Sequence, residues 1–575
     1  MSYYEVIEAA EASKQNDAEP VQLYDIVDER AAAFFALGQA RLSARPSLLL
    51  CTSGTAAAHY LPAIVEAAMT AVPMLVLSAD RPPELTGCGA NQTIDQNRLF
   101  GEHARAFVEL GLADAHPGAL RGVRRRIHQA VFTASWPRPG AVHINARARK
   151  PLEPPQGDGP SGPKSTVERR VDQLLERPSP KARRPRRQPA ATDLGDLAND
   201  LRRFERGVIV AGPAAADQAD CAERLLLLSR RTGLPLLADL ASQLRSTKEP
   251  VGPLIVASEA VLRSDAWPSL RPDLVVQIGR TPTATAWVQR LAQHPPDAHW
   301  VLGPHDWHDP ESTATDLLAA ELAESLDGLL ERLPEKPPTD WLRRWCRAGR
   351  AADGAVESVL ESGDELSEAQ TAREAVAAVP EGGLLKLGNS LAIRHADLYG
   401  GRVGEGVTVL SQRGASGIDG LVAGAAGAAT SGRPTLLLLG DVSLQHDLGG
   451  LMTAPRDGTP FIVVVIDNGG GRIFEQLPIA RRIDAQALTH WLTPPTGDLR
   501  DFAHAAAFAG FGYSVATTRP GLRQELAAAF ETGGPHLIVA RVPASGAVEL
   551  RRRLDAKMAE EMAARLAKTP GEESP

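Results

Sequence analysis

Short apolar runs alternate along the whole chain with longer, Ala-rich stretches of helical pattern. The apolar runs are rich in Leu, Val and Ile, and they lack the every-second-residue polarity of a half-exposed strand. Strands of this kind are buried on both faces, as in parallel sheets that are covered by helices on either side. The pattern therefore predicts an α/β protein with mostly parallel sheets flanked by helices.

Two Pro-rich breaks divide this pattern into three α/β domains. The predicted boundaries are 1–150 for the first domain, 151–191 for a linker, 192–333 for the second domain, 334–364 for a linker with a helix, and 365–575 for the third domain. The predicted strands are Ser47–Cys51, Met74–Ser78, Ala141–Ile144, Gly207–Ala211, Leu236–Ala238, Leu274–Ile278, His299–Leu302, Leu384–Leu387, Val407–Leu410, Thr435–Leu439, Phe461–Ile466 and His536–Ala540.

The composition argues against several classes of protein: nucleic-acid-binding, membrane-spanning, secreted, disulfide-rich and zinc-binding proteins. The chain has 62 Lys and Arg against 70 Asp and Glu, so its net charge of −8 gives no reason to expect nucleic acid as a partner. Its apolar runs are far shorter than the roughly 20 residues of a membrane helix, and no signal peptide is visible at the N-terminus. Four cysteines without CxxC spacing argue against a disulfide framework or a zinc site. We expect a cytoplasmic protein that binds neither nucleic acid nor membrane.

Polar residues follow two strands of the third domain where each strand ends. Gly440-Asp441 follows the strand Thr435–Leu439, and Asp467-Asn468 follows the strand Phe461–Ile466. The segment between them is long enough for a parallel crossover, so the side chains of Asp441 and Asn468 are expected side by side. A carboxylate, an amide oxygen and a backbone carbonyl form the hard-oxygen set that Mg²⁺ prefers, completed by substrate phosphate and water.

Two further strand ends are expected at the same edge of the sheet. Residues 411–420 lead into an Ala/Gly-rich helix, whose N-terminal amides predict an anion site. The strand Leu384–Leu387 ends in Gly388-Asn389-Ser390 before another helix. Together these ends predict a magnesium–diphosphate site. No GxGxxG follows a strand and no GxxxxGK[ST] occurs, so the diphosphate is not expected to be that of NAD or ATP.

Several longer segments resemble one family of thiamine-diphosphate enzymes, the menaquinone-pathway SEPHCHC synthases. The resemblance is strong in the first and third domains, and the middle domain matches only in pattern. The segments are VDERAAAFFALGQA (27–40), CTSGTAAAHYLPAIVEA (51–67), SADRPPELTGCGANQTIDQ (78–96), GNSLAIR (388–394), QRGASGIDG (412–420), GDVSLQHDL (440–448) and DNGGGRIF (467–474).

The resemblance implies a fold, a reaction and an assembly. It implies pyrimidine-binding, central and diphosphate-binding domains in that order. It also implies decarboxylation of 2-oxoglutarate on thiamine diphosphate and addition of the carbanion equivalent to isochorismate, a transferase reaction. The protein is expected to be a homodimer or homotetramer, in which the cofactor lies between the first domain of one subunit and the third domain of another.

The resemblance also assigns roles to residues of this sequence. Glu29 matches the glutamate that hydrogen-bonds the aminopyrimidine ring, and Ile418 matches the apolar side chain under the bent cofactor. Without the resemblance, Glu29 would be read as a surface acid at a strand end and Ile418 as an ordinary core residue. The remaining matches are Asp441, Asn468 and the Gly470 carbonyl for Mg²⁺ (or Mn²⁺), Ser53, Gly54, Ser390, Ser416 and Ser443 for the cofactor, and Arg81, Asn91, Gln92, Arg394 and Arg413 for substrate.

Two departures from the family pattern keep other functions open. Thr285 stands where the family has a lysine that helps to bind substrate carboxylate. In addition, no GSRS-type loop precedes Glu29, so we expect that the chain as given lacks its first strand and loop. A different thiamine-diphosphate carboligase or 2-oxoacid decarboxylase is one alternative. A catalytically silent paralogue is the other, although retention of Glu29, Asp441 and Asn468 together speaks against it.

Overall fold

The computed structural model describes residues 22–152, 165–246, 253–361, 365–492, 501–544 and 546–566. The chain divides into two compact units, Met1–Arg184 and Pro185–Pro575. Every strand pairing among the described residues is parallel. Because parallel strands require crossover connections, helices lie between most successive strands, as the sequence pattern predicted.

The first unit contains a four-stranded sheet in the order β1-β2-β4-β3. Its strands are β1 Ser47–Cys51, β2 Met74–Asp80, β3 Ala104–Leu112 and β4 Ala141–Arg147. Its helices are Glu29–Ser43, Thr55–Ala58, Leu61–Thr70, Pro117–Ser135 and Thr166–Leu175. The two central strands are the most buried, and they form the core with Ala-rich helix faces.

The second unit contains two six-stranded sheets, and the first of them has the order β10-β9-β8-β5-β6-β7. Its strands are β5 Gly207–Ala211, β6 Leu236–Ala238, β7 Leu254–Ile255, β8 Leu274–Ile278, β9 Ala298–Leu302 and β10 Asp316–Leu318. Its helices are Ala191–Arg203, Ala222–Thr232, Ser258–Arg263, Trp267–Leu270, Thr285–Gln293 and Leu322–Arg332.

The other sheet of the second unit has the order β12-β11-β13-β14-β16-β15. Its strands are β11 Leu384–Leu387, β12 Thr408–Ser411, β13 Thr435–Gly440, β14 Phe461–Asp467, β15 Gly512–Ala516 and β16 Pro535–Arg541. Its helices are Glu368–Ala378, Leu391–Tyr399, Leu421–Ala429, Asp441–His446, Ala485–Trp491, Phe502–Ala509, Arg519–Thr532 and Gly546–Leu566, and the long helix Asp340–Leu360 precedes them.

A buried ion pair joins the two sheets of the second unit. Arg245, which follows β6, is fully buried and contacts the Asp397 carboxylate at 2.6 Å. The same guanidinium donates hydrogen bonds to the backbone carbonyls of Ala238, Val256 and Asp397. The Asp397 carboxylate also accepts a hydrogen bond from the backbone amide of Leu240 at 2.8 Å. The guanidinium and the carboxylate thus satisfy each other inside the protein, where an unpaired charge would be strongly destabilising.

All twelve predicted strands are present, with ends that differ by a few residues. The four strands that sequence reasoning missed are β3, β7, β10 and β15, and each of them is the outermost strand of its sheet. The predicted helix Asp340–Val359 is confirmed as Asp340–Leu360. Residues 153–164 of the first predicted linker lie outside the described residues. Among the helices that the structure describes, none has both the length and the apolar character needed to cross a bilayer.

Candidate active site

The predicted metal ligands are brought together at the carboxyl ends of β13 and β14. These strands are parallel neighbours, with Gly440 opposite Ile466 in the register. Asp441 is buried, and its carboxylate accepts hydrogen bonds from the backbone amides of Val442 at 2.7 Å and Gly470 at 3.0 Å. The second bond ties the Gly-rich loop after β14 to the end of β13. Gly469 and Gly470 both have positive φ, a conformation that side-chain-bearing residues rarely adopt.

Asn468 has one satisfied and one unsatisfied polar atom. Its Nδ2 donates a hydrogen bond to the Glu368 carboxylate at 3.0 Å, and Glu368 is almost completely buried. Its Oδ1 is buried and has no hydrogen-bond partner among the described residues. Leaving such an oxygen without a donor costs about 1–3 kcal/mol, so its position fits a bound cation. Oxygen donors of this kind suit Mg²⁺.

Asn389, at the end of β11, organises the loop that carries Ser416 and Ile418. Its Nδ2 donates to the backbone carbonyls of Gln412 at 2.9 Å and Gly417 at 2.7 Å. A Cβ on Gly417 would lie 2.2 Å from a side-chain oxygen of Asp419, so a larger residue there would require the Asp419 side chain to move. Ser416 has a φ of 61°, and Ile418 is half-buried in the same loop.

Ser390 and Ser443 occupy the two neighbouring strand ends. Ser390 precedes the helix Leu391–Tyr399 and has a φ of 65°. Ser443 is buried in the helix Asp441–His446. Ser390, Ser416 and Ser443, which the resemblance assigned to the cofactor, therefore follow β11, β12 and β13 at one edge of the sheet.

The N-terminal amides of the Ala/Gly-rich helix were predicted to bind an anion from outside the protein. For two of these amides the prediction is wrong, because a side chain of the protein occupies them. The backbone amides of Val422 and Ala423, in the first turn of the helix Leu421–Ala429, both donate to the Asp447 carboxylate, at 2.8 Å and 3.2 Å. A carboxylate near a helix N-terminus is stabilised by the same dipole that would attract phosphate. The sequence did not indicate that Asp447 folds back onto this helix.

Two arginines predicted to bind substrate lie close together beside this edge. Arg394, in the first turn of its helix, donates to the Ser390 carbonyl at 2.7 Å. Arg413 lies within 3.4 Å of the Asn389 side-chain oxygen. Burial, together with the nearby positive charge of Arg413, lowers the pKa of Arg394. Paired guanidinium groups in a partly desolvated place favour a bound carboxylate.

A third guanidinium approaches the same loop from the middle sheet. Arg280 follows β8 and reaches the Arg413 backbone carbonyl at 3.5 Å. Its own segment is held by the backbone amide of Thr283, which donates to Asp239 at 2.8 Å. Thr285, in the position where the family has lysine, is the exposed first residue of the helix Thr285–Gln293.

The first unit brings together Ser53, Gly54 and Gln92 after β1. The Ser53 hydroxyl donates to the Gln92 carbonyl at 3.0 Å, and the Gln92 side-chain amide donates to Thr52 Oγ1 and to the Ser53 carbonyl, both at 3.0 Å. Gly54 has a φ of 88°, and a Cβ there would lie 3.0 Å from the Gln92 side chain. Asn91, beside Gln92, is exposed.

Gln96, which sequence reasoning did not single out, fixes the loop of Ser53 and Gly54 by a buried hydrogen bond. It is 1% exposed, and its Oε1 accepts the Gly54 amide at 3.0 Å. Its Nε2 donates to Ser78 Oγ, the Ala79 carbonyl and Asn145 Oδ1. His143 extends this network through Ser78 at 2.8 Å. Burial lowers the pKa of His143 from 6.5 to about 4.

The sequence alone suggested that Glu29 lies at the end of a strand. In the structure it begins a helix instead. It is the first residue of Glu29–Ser43, and the preceding Asp28 caps this helix by accepting from the amides of Arg30 and Ala31. The Glu29 carboxylate makes no hydrogen bond within the described part of the chain. Burial raises the pKa of the Cys51 thiol at the end of β1 to about 11, and the charge of Glu29 adds to this effect. Glu29 therefore lies near the Cys51–Gly54 loop.

Arg81 follows β2 in the same unit, and its side chain is half-buried. Its backbone is fixed on both sides. The amide donates to Asp80 at 2.8 Å, and the carbonyl accepts from Arg147 at 2.9 Å. Arg147 also contacts the buried Asp80 carboxylate at 3.0 Å. The position of Arg81 after β2 is thus set by ion-paired neighbours.

Comparison with known proteins gives a consistent result along the chain. Three profiles of thiamine pyrophosphate (thiamine diphosphate) enzymes match it: the N-terminal TPP binding domain over residues 3–99, the middle domain over 170–387 and the C-terminal TPP binding domain over 403–540. The chain is 44% identical to the 2-succinyl-5-enolpyruvyl-6-hydroxy-3-cyclohexene-1-carboxylate (SEPHCHC) synthase of Sorangium cellulosum, over 92% of this chain and 87% of that protein. This chain belongs to the SEPHCHC synthase family.

Other SEPHCHC synthases match over similar lengths. The synthase of Myxococcus xanthus is 37% identical over 94% of this chain and 91% of that protein. That of Geobacillus kaustophilus is 36% identical over 94% of this chain and 92% of that protein. The three-domain α/β fold of the thiamine-diphosphate enzymes is therefore confirmed, and the chain is a thiamine-diphosphate-dependent SEPHCHC synthase by family.

Proposed function

We propose that the protein decarboxylates 2-oxoglutarate and adds the resulting four-carbon unit to isochorismate, giving SEPHCHC in menaquinone biosynthesis. The observation that carries this proposal is the pair Arg394 and Arg413 beside the strand ends of Asp441 and Asn468. Both substrates carry two carboxylates, and guanidinium groups bind carboxylates through paired hydrogen bonds.

The residues present fit thiamine diphosphate with Mg²⁺, or with Mn²⁺ in its place. Asp441, Asn468 Oδ1 and the Gly470 carbonyl would hold the metal. The buried Oδ1 of Asn468, for which the described ranges offer no hydrogen-bond partner, supports this role. Ser390, Ser416 and Ser443 would surround the diphosphate. Ser53 and Gly54 would border the pyrimidine ring.

When bound, thiamine diphosphate supplies the electron sink that makes loss of CO₂ from a 2-oxoacid possible. Glu29 would accept a hydrogen bond from a nitrogen of the aminopyrimidine ring and favour the protonated ring by its charge. Burial strengthens such an interaction, because the protein interior screens charge less than water does. Ile418 would pack against the cofactor from the loop that Asn389 fixes.

The substrate carboxylates would be held by Arg81, Arg394 and Arg413, with Asn91 and Gln92 as neutral partners. Thr285 cannot supply the charge of the family lysine. Arg280 brings another positive charge to the Arg413 loop, which supports a site for a multiply charged anion. The partial burial of Arg394 would make each ion pair stronger than one on the surface.

The assembly that we propose is a homodimer or a homotetramer. The pyrimidine-binding residues of one subunit would face the diphosphate-binding residues of another. Glu29 and Asp441 would then serve one reaction from two chains.

The reaction is tested by measuring CO₂ release from 2-oxoglutarate, pyruvate and 2-oxoisovalerate, each with and without isochorismate. We expect 2-oxoglutarate to be consumed together with isochorismate in equal amounts, with SEPHCHC identified by mass. Preference for another 2-oxoacid, or turnover that isochorismate does not affect, would contradict the proposal.

The cofactor site is tested separately by thermal unfolding. Ligands that bind only the folded state raise its stability by mass action, so thiamine diphosphate with Mg²⁺ should raise the melting temperature. Asp441→Ala should abolish that shift, because it removes the only carboxylate among the proposed ligands. An equal shift in this variant would exclude the proposed metal site.

A further inference from the structure

Asn468 is an ambiguous ligand, because its amide group can be turned by a half rotation. One orientation presents the oxygen to a cation, and the other presents the NH₂ group, which cannot bind one. Neither the backbone of β14 nor the position of Asn468 after it selects between them. Another group of the protein must therefore fix the orientation.

Glu368 is that group in this structure. It is the first residue of the helix Glu368–Ala378, its side chain is completely buried, and its Oε1 lies 3.0 Å from Asn468 Nδ2. A carboxylate accepts hydrogen bonds, so it holds the NH₂ side of the amide. The Oδ1 on the opposite side is left buried and without a donor among the described residues.

Two elements surround the Glu368 carboxylate. Its Oε2 lies 3.0 Å from Nδ1 of His395, a close approach without hydrogen-bond geometry, and His395 is itself buried on the helix Leu391–Tyr399. Ser367 caps the helix of Glu368 through a reciprocal arrangement with Gln370. The carboxylate is thus located by two helices and reaches a residue 100 positions away in sequence.

We propose that Glu368 is a positioning residue of the metal site, which turns the Asn468 oxygen toward the cation without touching the cation itself. This inference rests on the proposed function, because it takes Asp441 and Asn468 as metal ligands. Partners that orient metal ligands typically contribute about 10- to 100-fold to metal affinity. Glu368→Gln removes the preference, since an amide offers both a donor and an acceptor to Asn468.

The test measures the dissociation constant of Mn²⁺ by electron paramagnetic resonance in the presence of thiamine diphosphate. We expect Glu368→Gln to weaken Mn²⁺ binding about 10- to 100-fold. The matched control is Glu374→Gln, on the same helix. Glu374 is also buried, but it pairs with Arg519 and Arg523. This control should lower thermal stability and leave Mn²⁺ affinity within about twofold of the parent, because Glu374 pairs with two arginines and contacts none of the proposed metal ligands among the described residues.

A double variant separates orientation from simple structural damage. In Glu368→Gln combined with Asn468→Asp, the introduced amide can donate to the introduced carboxylate, whose second oxygen can face the cation. We expect this double variant to bind Mn²⁺ more tightly than Glu368→Gln alone. The double variant also gives a readout if the single variant folds poorly, because it again fixes which side of the buried pair is the donor and which is the acceptor.

The outcomes are distinct. Parent-like Mn²⁺ affinity in Glu368→Gln, or a double variant no better than the single one, would overturn the role of Glu368. Failure of the parent protein to bind Mn²⁺ with thiamine diphosphate, or unchanged binding in Asp441→Ala, would instead reject the proposed metal site itself.

Discussion

Replacing Gln96 by leucine tests whether the loop at Ser53 and Gly54 is held by one buried side chain. Gln96 accepts one hydrogen bond from Gly54 and donates to three oxygens, and leucine keeps its approximate size without any of these bonds. The substitution should therefore loosen β1, β2 and the loop between β1 and the helix Thr55–Ala58.

The magnitude follows from the contacts that are lost. Leaving the buried Gly54 amide without an acceptor costs about 1–3 kcal/mol, and each of the donated bonds contributes about 1 kcal/mol. Additional apolar burial of leucine offsets roughly 1 kcal/mol of this loss. We expect the free energy of opening in this region to fall by about 3–5 kcal/mol, which corresponds to a roughly 100- to 4,000-fold increase in opening.

Hydrogen exchange measured by mass spectrometry reports this opening peptide by peptide. Peptides that cover Ser47–Cys51 and Met74–Asp80 should exchange about 100-fold faster or more in the Gln96→Leu variant. Gln129→Leu is the control, because Gln129 is exposed in the same unit and accepts a single hydrogen bond from Arg125. Exchange less than about tenfold faster in Gln96→Leu would refute the reasoning.

Three further predictions concern catalysis, assembly and pH. The Glu29→Gln variant should still bind the cofactor, as measured by the thermal shift that the cofactor causes. Its turnover should fall by at least about 100-fold, because an amide cannot stabilise a protonated ring as a carboxylate does. Near-parent turnover of 2-oxoglutarate would remove Glu29 from the mechanism. Mixing inactive Glu29→Gln and Asp441→Ala subunits should restore part of the activity, because one composite site regains both parent halves; an active, cofactor-loaded monomer in solution would contradict this. Burial lowers the pKa of His143 to about 4, so its contribution is complete above about pH 6.5 and is lost as the pH falls toward 4. Exchange at Ala141–Arg147, corrected for intrinsic rate, should show a loss of about 3 kcal/mol over that range, and a flat profile would show that His143 is not kept neutral by the fold.

The central strands could be predicted from sequence because their burial on both faces leaves a direct apolar signature. The edge strands β1 and β12 could also be predicted, because they are short apolar runs. The edge strands β3 and β15 were missed because polar and apolar residues are mixed in them and most of their residues are only partly buried; β3 also has register shifts against β4.

The residues of the candidate site likewise fall into those that the sequence could predict and those that it could not. Asp441, Asn468 and the loop glycines follow their strands directly, so topology alone brings them to one edge. Glu368 and Asp447 reach that edge from remote positions, and Asp447 occupies helix amides that were predicted to bind an anion. Such contacts depend on how helices pack against the sheet, which no local pattern encodes.

The ion pair between Arg245 and Asp397 limits how freely parts of this enzyme can be exchanged with those of relatives. Asp397 lies on the same helix as Arg394, one turn further along, so the helix that carries a guanidinium proposed to bind substrate is anchored to the middle sheet. A chimaera that takes residues 192–333 from another family member inherits a new partner for Asp397. Recombination between relatives should therefore succeed only where both halves of this pair are transferred together or are the same in the two parents.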